Sequence, residues 1–124
     1  MSIPIKIELF GIGTIEGTII RHIAPLTADA ILEKLPIILR GRFSFGSKKY
    51  WTLPGVEIYK GSNPKSINNI KKGEILYNPK SDELIIALQD IKMTNKVNII
   101  GKIDSNLEII LEARNGLNTK ISKN

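Results

Sequence analysis

The side chains able to do chemistry in this chain are few, and their types exclude most reactions at once. There is no Cys and one His, His22. Without a thiol there is no disulfide framework, no thiolate metal site and no Cys nucleophile. With one imidazole there is no multi-histidine metal centre, and a Ser-His-Asp arrangement would have to use His22. His22 reads as a rim histidine, because no acid or nucleophile can be assigned to it. Gly11-Ile12-Gly13 carries two glycines of a nucleotide loop, but lacks the third and the following helix, so it reads as a turn. No catalytic residue, metal ligand or cofactor site emerges.

What remains is recognition chemistry. Arg40 and Arg42, two apart on a strand, share one face, and planar guanidinium forks suit a carboxylate or a phosphate. The alternative is a solvated rim. Phe43, Phe45, Tyr50 and Trp51 follow closely, either as packing or as the wall of a pocket. Alternation over Lys49–Leu53 sets Tyr50 and Thr52 against Lys49, Trp51 and Leu53. The larger apolar ring gains more from burial, so Trp51 is expected in the packing and Tyr50 at a groove. Gln89 and Met93 stand where the apolar run Leu84–Leu88 ends and can line the same mouth. The candidate ligand contacts are therefore Arg40, Arg42, Phe45, Tyr50, Gln89 and Met93.

The elements that must position these residues read mostly as strands. Ile3–Leu9 and Thr14–Ile20 alternate apolar and polar residues around the Gly11/Gly13 turn, predicting a hairpin. Ala28, Ile31, Leu32 and Leu35 fall at helical spacing, with Thr27 as N-cap, Asp29 in the first turn and Pro36 as the stop. Short strands are expected at Ile37–Arg40, Lys49–Leu53, Val56–Tyr59, Glu74–Tyr77, Leu84–Leu88 and Val97–Ile103, separated by Gly, Pro, Asn and Ser turns. Leu84–Leu88 is apolar without alternation, as in a strand covered on both faces. Ser105-Asn106-Leu107-Glu108 spells a capping box for a second helix with Leu107, Ile110 and Leu111 on one side, ended by Asn115-Gly116. Asn118–Ser122 closes the chain as a strand.

At 124 residues, with 42% hydrophobic and 24% charged side chains, the chain is one globular domain spanning 1–124. No apolar run approaches the roughly 18 residues that cross a bilayer, and the opening MSIPIKIELF reads as neither signal peptide nor anchor. The expected location is cytoplasmic, with no membrane partner. The formal charge is +6. Its bases are scattered, however, and no alternating exposed aromatics stand beside them, so solvated charge is favoured over a nucleic-acid footprint.

Three segments, in order, resemble the cyclophilin fold. Glu8-Leu9-Phe10 is similar to the E-L-F of its opening strand. Pro25–Ile31 is similar to the P-x-T-x-x-N-F start of its first helix, with Ala30 where that pattern has Asn. Asn98–Ile103 followed by Leu107–Ile110 is similar to the V-x-F-G-K-V strand and the helix after it, with Gly101-Lys102 as the most specific element. The middle of the chain, Lys49–Pro54, Gly73–Pro79 and Leu84–Leu88, looks closer to small cyclophilin-like proteins of archaea and bacteria. The resemblance implies a mainly β fold: a closed barrel of about eight strands with two short capping helices. In cyclophilins, prolyl isomerisation relies on an Arg, an F-M-x-Q run, a central Phe, a Trp and a His. Registered on Gly101-Lys102, the His position falls on Val97, the Trp position near Lys92 and the Phe position within Leu84-Ile85-Ile86. No F-M-x-Q run is present.

The expected function is therefore a non-catalytic barrel that binds a small molecule or a peptide, without a cofactor. A weak prolyl isomerase with a rebuilt site is the alternative, and non-specific nucleic-acid association a second. Homodimerisation stays open.

Overall fold

The structure is a computed structural model that describes residues 2–124. Its described residues form strands β1 (Ser2–Leu9), β2 (Gly13–Ile20), β3 (Ile37–Phe43), β4 (Tyr50–Pro54), β5 (Ile67–Ile70), β6 (Glu74–Asn78), β7 (Glu83–Ala87), β8 (Ile91–Ser105) and β9 (Leu117–Lys123). Helix α1 spans Pro25–Lys34, and a 3₁₀ helix spans Leu107–Glu112. The strands run in the order β2-β1-β9-β3-β4-β7-β6-β8, and β8 pairs back onto β2. This closes an eight-stranded antiparallel barrel, with β5 added outside on β8. The 3₁₀ helix packs at the Gly13 end of β2, where Gly13 approaches Ile109, while α1 follows the Ile20 end. The two helices thus close opposite ends.

Period-two alternation explains the interior. Ile5, Ile7 and Leu9 of β1 and Ile15 and Ile19 of β2 point inward, meeting Ile75, Leu84, Ile86 and Ile100, with Ile31 of α1 and Ile110 at the ends. Closure depends on bare backbone at Gly101, where an added Cβ would run into the carbonyl oxygen of Thr18. A second apolar cluster lies on the outer face, built from Ile70, Leu76, Ile85, Ala87, Val97 and Ile99. That makes β7 buried on both faces, as its unbroken apolar run predicts.

Several local expectations are corrected. Val56–Tyr59 is not a strand: its backbone N–H groups at Glu57, Ile58 and Tyr59 go to the Asp82 carboxylate at 2.8, 3.3 and 2.9 Å. A strand with two central asparagines, β5, forms instead. Strand β8 begins at Ile91, six residues before the expected start. Helix α1 is capped by Ala24 with Pro25 in the first turn, a position that suits its fixed φ and missing N–H. Thr27 therefore lies inside the helix, and Asp29 pairs with Arg21 at 2.6 Å. The capping box does not form, because Ser105 is still paired to Glu16 in β8. Asn106 takes the cap position at φ +64°, and the helix that follows is 3₁₀, with Leu111 exposed. Among the described residues, no helix is long and apolar enough to cross a membrane.

Candidate ligand-binding cleft

The β3–β4 hairpin builds one wall of an open cleft. Its turn is tied by Ser44, whose hydroxyl donates to the Ser47 carbonyl at 2.7 Å and accepts from the Lys49 N–H at 3.0 Å. Gly46, at φ +78°, supplies the left-handed residue the turn needs. The Phe45 ring is left fully in solvent at the tip. At the base, Lys48 Nζ lies 4.9 Å from the centre of the Phe43 ring and donates to the Leu111 carbonyl at 2.9 Å. The first contact braces the hairpin internally, and the second fastens it to the 3₁₀ helix.

Tyr50 and Trp51 divide as alternation predicts. Trp51 is completely buried in the barrel, edge-on to Phe43 with ring centres 4.8 Å apart, and its indole N–H reaches the Thr119 hydroxyl at 3.4 Å. Tyr50 is half-buried against the outer cluster, together with Ile91 and Met93.

Two hollows meet at Tyr50. The first, of about 530 Å³, is lined by Phe45, Lys49, Tyr50, Gln89, Lys92 and Met93, among others. The second, of about 640 Å³, is lined by Arg42, Phe43, Phe45, Tyr50, Thr52 and Glu83, with Asn115 at its edge. Ser44, Phe45 and Tyr50 belong to both, so the hollows form one cleft divided by the hairpin tip.

Of the six residues singled out from the sequence, Phe45, Tyr50, Gln89 and Met93 come together in the first hollow, and Arg42 lines the second. Arg40 lines neither; it stands on the barrel's outer surface opposite Asn118 of β9. His22 is exposed in the turn after β2. The residue sequence reasoning missed is Glu83. Its carboxylate accepts from the Thr52 hydroxyl at 2.9 Å and lies 3.6 Å from an Arg42 nitrogen. A lone acid at the head of an otherwise apolar strand was the available signal.

Beyond the cleft, Asp82 and Tyr77 secure the segment between β4 and β5. The Tyr77 hydroxyl donates to Asp82 at 2.5 Å and accepts from the Lys60 N–H at 3.2 Å. Burial and the adjacent carboxylate push the Tyr77 hydroxyl up to about 12. Burial alone would raise Asp82, but the Tyr77 hydroxyl and three backbone N–H groups outweigh it and hold the carboxyl below its ordinary value. Asn98 fixes the same segment further on: its amide donates to Thr27 Oγ1 and the Gly61 carbonyl, both at 3.0 Å, and accepts from the Asn63 N–H at 2.9 Å.

A closed eight-stranded barrel with one helix at each end defines the cyclophilin-like class. The family model described as "Cyclophilin-like family" matches residues 23–122, and the chain belongs to that family. No curated protein matches it in sequence. Among solved structures, it is similar to the hypothetical protein AF2241 from Archaeoglobus fulgidus, at 16% identity and TM-score 0.80, over 99% of this chain and 95% of that one. It is also similar to McbB, solved in complex with tryptophan, at 11% identity and TM-score 0.80. That match covers 96% of this chain but only 44% of McbB.

Proposed function

We propose that this barrel binds a small molecule or short peptide in the Tyr50 cleft without turning it over. The observation that carries the reading is the aromatic and thioether wall of Tyr50, Phe45 and Met93, rimmed by Gln89, Lys49 and Lys92, in a hollow of ligand size. A fully exposed Phe at the tip of a tied hairpin loses water-exposed apolar area when a ligand lies beneath it. The isomerase alternative has less support. Val97, which registers with the cyclophilin His, is a fully buried member of the outer apolar cluster and carries no donor of its own. McbB's tryptophan adds aromatic amino acids to the compounds worth screening.

Ligand-detected NMR against metabolite and proline-peptide libraries tests the reading. Binders are expected that compete with one another and are lost in Tyr50→Ala. No binder at millimolar ligand would end it. A protease-coupled prolyl-peptide assay should give the buffer rate; catalysis lowered by Arg42→Ala would favour the isomerase instead.

A further inference from the structure

We propose that the Arg42–Glu83 pair makes the second hollow the polar end of a site for free α-amino acids with an aromatic side chain; this rests on, and narrows, the binding reading above. The Glu83 side chain is only 17% exposed, against 60% for Arg42. One carboxylate oxygen is satisfied by Thr52, but the other faces Arg42 at 3.6 Å, beyond hydrogen-bond length. Among the described residues, the Arg42 guanidinium donates no hydrogen bond. A mostly buried carboxylate and a largely exposed guanidinium therefore form a loose ion pair with no hydrogen bond between them, and both keep hydrogen-bonding capacity open towards the hollow.

An α-amino acid carries the complementary pair, an ammonium and a carboxylate separated by one carbon. Its ammonium can fill the open oxygen of Glu83 while its carboxylate takes two N–H groups of Arg42, giving four alternating charges with no net excess. A lone carboxylate would face Glu83, and a lone amine would face Arg42, each with one repulsive neighbour. Phe43, Phe45 and Tyr50 line the same hollow, which supplies an aromatic wall for the side chain.

The test is an amide-resolved NMR titration of the full chain with L-phenylalanine, 3-phenylpropionate, 2-phenylethylamine and N-acetyl-phenylalanine amide. L-Phenylalanine is expected to shift the Arg42, Tyr50 and Glu83 resonances and to bind at least about tenfold more tightly than the other three. Glu83→Gln, which keeps an acceptor for Thr52, should erase that preference, and so should Arg42→Gln at an exposed position. Equal binding of the singly charged analogues would overturn the proposal, as would tighter binding of the blocked, peptide-like compound. So would an inert phenylalanine while library compounds still shift Tyr50; the binding reading would then stand. If no compound shifts Tyr50, both fall.

Discussion

The Trp51 indole lies directly on the bare backbone of Gly41: a Cβ built on Gly41 would overlap Cε2, Cζ2 and Nε1 of the ring. Gly41 sits in β3 and Trp51 in neighbouring β4, so the fully buried ring occupies the space a side chain would take. Gly41→Ala should therefore cost about 1–3 kcal/mol by overpacking. Trp51→Ala should cost about 3–5 kcal/mol through the cavity it leaves. Tyr50→Ala, one residue earlier but half-buried, should cost about 1 kcal/mol. Urea melts of the three variants check the order. A Tyr50 variant weaker than the Trp51 variant would reverse the assignment of wall and core.

The Tyr77–Asp82 pair sets opposite pH limits. Asp82 titrates lower in the folded chain than its ordinary 3.8, so its contribution is complete above that value and lost as pH falls through the folded value. Tyr77 is raised from 10.0 to about 12, so its contribution is complete below 10.0 and lost as pH rises towards 12. Urea midpoints against pH should show both limbs. Tyr77→Phe should remove the alkaline limb and cost about 1.5–3 kcal/mol at neutral pH, since it deletes a bond to a charged acceptor. An unchanged alkaline limb would place its origin elsewhere.

Asn98 joins α1, Gly61 and Asn63 through three bonds from a fully buried side chain. Asn98→Ala should cost about 1–3 kcal/mol and leave the Thr27 hydroxyl and the Gly61 carbonyl short of a partner. Limited proteolysis should then cut within 55–66 earlier than in the parent chain. Protection equal to the parent's would show that Asp82 and Tyr77 hold the segment without Asn98.

At the barrel seam, Gly101→Ala drives a methyl group into the Thr18 carbonyl, which is backbone and cannot swing away. The expected loss is about 3 kcal/mol, the upper end for overpacking. Hydrogen exchange should rise first at the β2–β8 pairs around Ile19 and Thr18. Uniform exchange across the barrel would argue against a local seam.

Much of the architecture is legible in the residues because it follows from period alone. Ile3–Leu9 and Thr14–Ile20 alternate, so burying one face of each already requires a hairpin, and the unbroken Leu84–Leu88 run already requires cover on both sides. Gly101-Lys102 and the capped barrel order likewise follow from local pattern and resemblance. Local pattern fails where a distant group competes for the backbone. Val56–Tyr59 has strand composition, but Asp82, more than twenty residues on, takes its N–H groups. Ser105 has the capping sequence, but its pairing with Glu16 holds it in a strand.

The site divides the same way. Alternation alone separates Tyr50 from Trp51 and puts Arg40 and Arg42 on one face. Which arginine enters the cleft was decided by neighbours the sequence does not display: Asn118 of β9 stands beside Arg40, whereas Glu83 of β7 stands beside Arg42. Side-chain period is a property of one strand, fixed by bond geometry. Strand register is fixed only when strands pair: β3 against β4 sets Arg42 opposite Thr52, and β4 against the distant β7 brings Glu83 to the same point.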